Sequence, residues 1–178
     1  MYSDNVSGAG NQQERPAIEA IDASLGSFLS GFALGEASFM IICRRRSGSA
    51  RGFRLSAAFN VSQHDRAPLD LFREALGCGT MRVAGNGGWY WEVNALPDLR
   101  GRIVPFFERF PLVGMKAQDF ELWSEAIRLM EPGRLSDSDY RAVLALRERM
   151  NRGGKRRYRM AGILRDYTPA LTAEQRSG

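Results

Sequence analysis

The sequence predicts an α+β protein in which helices and a four-stranded antiparallel sheet follow the order αββαββα, with further helices on the C-terminal side. Three observations predict this class. Residues 51–62 alternate apolar and polar side chains, as a strand with one buried face does. A Gly-Asn-Gly-Gly run at 85–88 separates two β-rich stretches and is a hairpin turn signal. Apolar residues recur at spacings of three and four over 25–32, which is typical of an amphipathic helix.

The elements are justified in chain order by their turn and cap residues. A Ser-Gly-Ser-Ala turn at 47–50 joins the first two strands. Pro68 opens the second helix and Gly77 ends it, Pro97 opens the third helix, and Ser136 caps the last one. The predicted elements are helix 22–34, strands 37–46 and 51–62, helix 68–76, strands 80–84 and 89–94, and helices 97–110, 116–130 and 137–151.

The chain is organised as one domain with polar ends. Residues 1–16 are rich in Gly, Asn and Gln and are predicted to form a disordered lead. Residues 17–151 are predicted to form a single domain, and residues 152–178 a basic C-terminal tail that is partly disordered. The length of 178 residues is enough for one hydrophobic core.

Composition favours an anionic partner. The 25 Lys and Arg outnumber the 20 Asp and Glu, which gives a net charge of +5. No apolar run is long enough to cross a bilayer and no signal peptide is recognisable, so we expect a cytoplasmic protein, or an organellar one in a eukaryote. Cys43 and Cys78 fit a reduced compartment and are expected to be packed thiols. His64 is the only histidine, which excludes a multi-histidine metal site within one chain.

The first helix carries two different stripes. One is apolar and contains Leu25, Phe28, Leu29 and Phe32. The other contains only small residues, namely Ser24, Ser27, Gly31 and Gly35. Because glycine costs about 1 kcal/mol in a helix interior relative to Ala, two of them favour the close approach of another backbone. That backbone belongs either to the same domain or to a second chain.

Residues 29–37 read L-S-G-F-A-L-G-E-A and resemble the signature of the LAGLIDADG homing endonucleases. The resemblance implies that family's fold, with a curved four-stranded antiparallel sheet, and a signature helix that packs against another signature helix. The sequence departs from the family at Leu34, where many members have Asp, and at Ala37, where Gly is usual. The implied dimer interface contains Ser24, Ser27, Phe28, Gly31 and Gly35.

The resemblance also implies the catalytic residues. Glu36 ends the signature and, with Ala37, is the implied ligand of Mg²⁺ or another divalent cation at the DNA phosphates. The run F-N-V-S-Q at 59–63 is similar to a second family marker, which implies that Gln63 lies near the catalytic water. Lys116 follows a Pro-Leu pair, as in a third marker, which implies a position beside the scissile phosphate.

The sequence contains one signature, so the chain is expected to pair with itself and to recognise a pseudo-palindromic DNA site. The function that the resemblance implies is that of a site-specific double-strand DNA endonuclease of an intron or intein. The alternative is a non-catalytic DNA- or RNA-binding protein of the same fold, such as a maturase or a transcription regulator. A plain interaction protein, the third class, would show no salt-dependent affinity for DNA.

The polar face of the sheet is the predicted DNA-reading surface. This face is expected to carry arginines with no matching acids and also tryptophans, which favours nucleic acid over an ordinary solvated face. The candidates on the sheet are Met40, Ile42, Arg44, Arg46, Arg54, Ser56, Asn60, Ser62, Arg82, Trp89 and Trp91. Candidates for phosphate contacts are Arg66 and the tail residues Arg152, Lys155, Arg156 and Arg157; a solvated tail is the alternative for the latter.

Overall fold

The computed structural model describes residues 15–47, 51–85, 87–130, 135–151 and 156–165, and its α+β architecture confirms the predicted class. The helices are α1 (Ala23–Glu36), α2 (Ala67–Leu76), α3 (Leu96–Asp98), α4 (Val104–Arg109), α5 (Gly114–Leu129), α6 (Asp137–Arg149) and α7 (Met160–Arg165). The strands are β1 (Ala37–Arg45), β2 (Phe53–Gln63), β3 (Thr80–Val83) and β4 (Trp89–Val93).

The four strands form one antiparallel sheet in the order β1-β2-β4-β3. Directly opposed residues share a face of the sheet, so the pairs Phe39–Phe59 and Val61–Trp91 identify one side. That side is covered by helices and contains the core, whereas the other side is open. The hairpin predicted at 85–88 joins β3 to β4, with Gly87 at φ 83°.

Aromatic side chains fill the space between the sheet and the helices. The Phe39 ring lies 5.0 Å from that of Phe59 and 5.1 Å from that of Trp123, and Phe107 is 5.5 Å from both phenylalanines. All four are at most 1% exposed. Each large side chain removed from water in this way stabilises the fold by roughly 1.5–3 kcal/mol. The core therefore holds α4 and α5 against the covered face of β1 and β2.

The first helix is longer than predicted and has no loop after it. Asp22 caps its N-terminus, where the side-chain oxygen accepts hydrogen bonds from the backbone of Ser24 and Leu25. Gly35 does not end the helix, because it has no left-handed φ; Gly77, at φ 60°, does end α2 as predicted. Helix α1 continues to Glu36, and the next residue already belongs to β1.

Two other regions differ from the predicted elements. The helix predicted at 97–110 consists of α3, a π-helical turn over Leu99–Ile103, and α4. Helix α7 lies within the stretch predicted as a tail, and its Ile163 is fully buried. None of the helices in the described ranges has both the length and the apolar character that crossing a bilayer requires.

Both cysteines are free thiols in packed positions, as predicted. Burial raises the pKa of the Cys78 thiol to about 12. The half-buried Cys43 also has a raised pKa, for the same reason. Neither thiol is activated as a nucleophile, because the thiolate is the reactive form.

Candidate functional site

The two faces of α1 have different partners. Gly26, Leu29, Ser30 and Ala33 face inward and are buried. A Cβ added to Gly26 would overlap the ring of Phe110. The Ser30 hydroxyl donates a hydrogen bond of 2.9 Å to the backbone carbonyl of Phe110. Two small residues, Gly26 and Ser30, therefore allow α1 to pack closely within the domain. Neither belongs to the small-residue stripe predicted from the sequence.

The predicted small-residue stripe faces outward. Ser24, Ser27, Gly31 and Gly35 are exposed, and a Cβ added to either glycine would meet nothing within 4 Å. Phe28, on the same side of the helix, is 49% exposed. The alternative that this stripe packs inside the domain is therefore wrong, and in the described part of the chain its four residues form an uncovered face together with Phe28.

The three residues predicted to be catalytic lie around the junction of α1 and β1. The Lys116 ammonium donates a hydrogen bond of 2.6 Å to the carbonyl of Ala37, the first residue of β1. Gln63 ends β2 two residues beyond Val61, which is paired with Ala37, so the glutamine lies next to the same junction. Sequence positions 36, 63 and 116 thus come together only in the folded chain.

The local structure orients each group. Gly114, at φ 64°, begins α5 and places Lys116 in its first turn, above the end of α1. The Gln63 side-chain oxygen accepts a 2.8 Å hydrogen bond from the backbone of His64, so its amide NH₂ points the other way and is available as a donor. Glu36 is exposed, and no cation of the described residues lies within ion-pair distance of it.

The charges at this junction compensate one another only in part. The carboxylate of Glu36 adds to the negative end of the α1 dipole, which is unfavourable unless a cation is near. The Lys116 ammonium, bound to the Ala37 carbonyl, supplies one positive charge at this end of the helix. A further cation would be favourable there.

The oxygen donors at the junction suit a hard divalent cation, because Mg²⁺ prefers carboxylate and carbonyl oxygens. One chain supplies too few of them. The described residues contain no group of three or more His, Cys, Asp and Glu side chains that could hold a metal, and Lys116 already occupies the Ala37 carbonyl. The residues therefore fit a site that other groups would complete, not one held by a single chain.

The open face of the sheet carries most of the predicted DNA-reading residues. The strand pairing puts Arg44 opposite Arg54, and Ile42 opposite Ser56, on this face. A groove of about 590 Å³ lies over them. The predicted residues that the register assigns to the open face are Met40, Ile42, Arg44, Arg54, Ser56, Asn60, Ser62 and Arg82.

The two tryptophans of β4 are on the other face, which corrects the prediction. Trp91 is opposite Val61, is fully buried, stacks on Phe72 at 5.5 Å, and donates a 2.9 Å hydrogen bond to the Cys78 carbonyl. Trp89 lies on the same, covered face as Trp91, since residues two apart in a strand share a face. The aromatic and acidic side chains that do reach the open face are Tyr90 and Glu92.

Glu92 also corrects the expectation that the arginines of this face have no matching acid. Its carboxylate lies 3.7 Å from the guanidinium of Arg82, on the neighbouring strand β3. The sequence contained the signal for this arrangement. Glu92 is the one charged residue within β4, so its face should have been assigned to solvent or ligand and the tryptophans to the core.

Two further arginines that were predicted to contact DNA form interactions with nearby residues of the chain. Arg66 forms an ion pair with Asp70 at 2.9 Å, and its guanidinium lies 5.0 Å from the centre of the Trp89 ring. Arg46 is exposed just beyond the end of β1, where its backbone donates to the Gly52 carbonyl. Contact of either side chain with a phosphate stays a prediction.

The tail arginines divide into two kinds. Arg156 was predicted to grip phosphates, but its guanidinium donates to the carbonyls of Arg147, Glu148 and Met150 and is 12% exposed. It satisfies the carbonyls that the end of α6 leaves unpaired, so the prediction is wrong for this residue. Arg157 is exposed, beside the ring of Tyr158. Arg152 and Lys155 lie outside the described residues.

Sequence comparison connects this arrangement with known proteins. A family model described as "LAGLIDADG endonuclease" matches residues 29–127. The "Probable intron-encoded endonuclease 3" of Neurospora crassa is 30% identical over 129 residues, which are 70% of this chain and 24% of that protein. An "Uncharacterized 50.9 kDa protein in ND4 intron 1" of Podospora anserina is 28% identical over 108 residues, which are 58% of this chain and 24% of that protein. The chain spans about a quarter of the length of these curated relatives.

Solved structures share the fold. The homing endonuclease I-TnaI superposes with a TM-score of 0.67 at 25% identity, over 79% of this chain and 94% of that one. The meganuclease I-SmaMI, bound to uncleaveable DNA, superposes with a TM-score of 0.67 at 28% identity, over 73% of this chain and 45% of that one. The chain thus corresponds to nearly all of one endonuclease and to less than half of the other.

Proposed function

Because this chain belongs to the LAGLIDADG endonuclease family, we propose that it is a site-specific endonuclease that cuts double-stranded DNA as a homodimer with Mg²⁺ or another divalent cation. The observation that carries the proposal is the junction of α1 and β1, where Glu36 ends the helix beside an uncovered face and Lys116 donates to the carbonyl of the next residue. The likeness to an intron-encoded endonuclease supports a role in the mobility of an intron or intein.

The outward face of α1 supports the homodimer. A stripe of small side chains lets another backbone approach closely, and Phe28 adds an apolar side chain that is half exposed in the single chain. A two-fold contact through this face would pair each α1 with its copy and bring the two Glu36 carboxylates towards each other. The interface residues we propose are Ser24, Ser27, Phe28, Gly31 and Gly35.

The open face of the sheet supports DNA binding. Arg44 and Arg54 are directly opposite each other in the strand pairing, an arrangement that destabilises a sheet unless an anion lies between the charges. An antiparallel ribbon can enter the major groove, where arginine reads guanine edges. Two such faces in a homodimer would read the two halves of a pseudo-palindromic site.

The proposed chemistry is hydrolysis of a phosphodiester, in which a water oxygen bonds to phosphorus as the bond to the leaving sugar oxygen breaks. A divalent cation, when bound, would neutralise charge on the phosphoryl oxygens. Glu36 would hold it together with the partner's groups and the DNA, and the Ala37 carbonyl would join them once the Lys116 ammonium has moved from it to the phosphate. Lys116 would stabilise charge at the phosphate, and the free amide of Gln63 would orient the water through a hydrogen bond.

The test begins with duplexes selected from a random library by the Glu36→Gln variant in Mg²⁺, which should bind without cutting. Incubation of these duplexes with the wild-type protein should then give double-strand breaks at one position, read by sequencing the ends. Glu125→Gln, the same change at an exposed position on α5, is the matched control and should cut like the wild type.

Two results would contradict the proposal. Equal cleavage by the wild type and Glu36→Gln would remove the catalytic role of the glutamate. Salt-dependent binding without cleavage in Mg²⁺ by the wild type would favour the non-catalytic binder, for which the described residues offer no separate supporting observation.

A further inference from the structure

Glu92 is an acidic side chain in the middle of a basic surface. It lies on β4, one of the two inner strands, with Asn60 of β2 on one side and Thr80 of β3 on the other in the strand pairing. Its side chain is 22% exposed and lines the same groove as Arg44 and Arg54. A carboxylate at this position opposes the approach of any phosphate, so its presence on a DNA-facing groove needs a specific reason.

The ion pair with Arg82 does not supply that reason. The two charged groups are 3.7 Å apart, and the Arg82 side chain is 52% exposed. Pairs of this kind contribute little to folding because water competes for both charges. The pair does hold the two side chains next to each other, one an acceptor only and the other a donor only.

The chemistry of base edges supplies a reason. In the major groove, cytosine presents an amino donor that a carboxylate accepts, and guanine presents two acceptors that a guanidinium binds. We propose that Glu92 is a specificity-determining residue that selects cytosine at one position of each half-site, while the adjacent Arg82 selects guanine at a neighbouring position. This inference rests on the proposed function, because it assumes that the open face enters the major groove.

The test is a binding selection from random duplexes, in Mg²⁺, with four proteins that all carry Glu36→Gln so that bound DNA stays intact. They are this parent, and the parent with Glu92→Gln, with Arg82→Ala, or with Glu125→Gln as the matched loss of one acid outside the open face. We expect the parent to prefer cytosine at one position by about five-fold to a hundred-fold over the other bases.

The expected pattern separates the two side chains. Glu92→Gln should change that preference towards adenine, since glutamine pairs with the adenine edge, and leave the remaining positions as they were. Arg82→Ala should retain the cytosine preference and lose a guanine preference at another position. Glu125→Gln should give the parental pattern.

Two results would overturn the inference while leaving the proposed function intact. One is an unchanged selection pattern in Glu92→Gln. The other is loss of the same position in Glu92→Gln and Arg82→Ala, which would mean that Glu92 acts only by positioning the arginine. Absence of any sequence preference or DNA binding by the parent would instead remove the proposed function, and this inference with it.

Discussion

Arginine side chains make different interactions on the two sides of the sheet. On the open side, Arg44, Arg54 and Arg82 extend their side chains into a groove. On the helical side, guanidinium groups bind backbone carbonyls: Arg100 those of Ile127 and Arg128, Arg102 that of Leu76, and Arg147 those of Ile41 and Tyr158. The first group is exposed in the groove, whereas the second joins segments of the chain to one another.

The difference teaches that net charge overstates the surface available to an anion. An arginine that satisfies the last carbonyls of a helix keeps its charge but is held in one orientation by the main chain. Of these six arginines, the three of the first group can rearrange around a phosphate or a base, whereas the main chain restrains the other three. The net charge of +5 is therefore a poor guide to the proposed DNA-binding surface, and the position of each guanidinium is a better one.

The largest effect expected from this contrast is at Arg147, which is 9% exposed. Arg147→Met removes the donors to the Ile41 and Tyr158 carbonyls, each 3.0 Å away, and leaves both without that partner. The free energy of unfolding, measured by urea denaturation, should fall by about 3 kcal/mol. Arg54→Met, on the open face, should change it by less than about 0.5 kcal/mol. An equal loss of unfolding free energy in both variants would contradict the distinction between arginines that bind the main chain and arginines of the open face.

Helix α1 also has a buried side and an exposed side, and substitutions on the two sides should change folding stability in opposite directions. Gly26→Ala should lower the free energy of unfolding by about 2 kcal/mol, because its Cβ meets the Phe110 ring. Gly31→Ala should raise it in the isolated chain by up to about 1 kcal/mol, since alanine favours a helix and nothing obstructs it.

Sedimentation complements the unfolding data on these two variants. Gly31→Ala should weaken self-association, because the added methyl groups keep the two helices apart. Loss of folding stability in Gly31→Ala comparable with that in Gly26→Ala would mean that the outward stripe is packed within the chain after all.

A smaller effect is expected from Arg44→Ala combined with Arg54→Ala. DNA affinity at fixed salt should fall about ten-fold, or ~1.4 kcal/mol, and the slope of affinity against salt should become shallower by about 2 if both side chains contact phosphates. Folding stability should not fall, since the two like charges face each other across the strands. Unchanged DNA affinity in this variant would show that the groove is not the binding surface.

The smallest expected effects are at Arg156 and Arg157, which are adjacent in sequence but should differ in what their substitution changes. Arg156→Gln should cost about 1 kcal/mol of folding free energy, because the end of α6 loses donors to its carbonyls. Arg157→Gln should leave stability unchanged and reduce only DNA affinity. Thermal unfolding and a DNA titration on both variants would test this, and the reverse assignment of the two effects would contradict it.

The sequence predicted well what depends on local periodicity. The alternation in β2 correctly divided Phe59 and Val61 from Asn60 and Ser62, and the turn at 85–88 correctly paired β3 with β4. The resemblance to the family also selected positions 36, 63 and 116, which lie around one junction of the fold although they are far apart in the chain; their catalytic roles stay predictions.

It failed where a residue type is compatible with two environments. The tryptophans of β4 suit a buried core as well as an exposed reading surface, so their side of the sheet depends on the pairing with β2. Arg156 suits a solvated tail as well as a helix end, and only the return of the chain to α6 decides between them. The extension of α1 past Gly35 depends on the absence of a left-handed turn, which a glycine permits but does not impose.

The direct passage from Glu36 to Ala37 has a mechanical consequence. No linker separates helix from strand and the inner side of α1 is buried against the domain, so a change in the direction of α1 would carry β1 and the open face with it. In a pair of chains joined through α1, the angle at which the helices cross would set the angular phase between the two halves of the recognised duplex. Insertion of even one residue at this joint would shift that phase, whatever bases the sheets select.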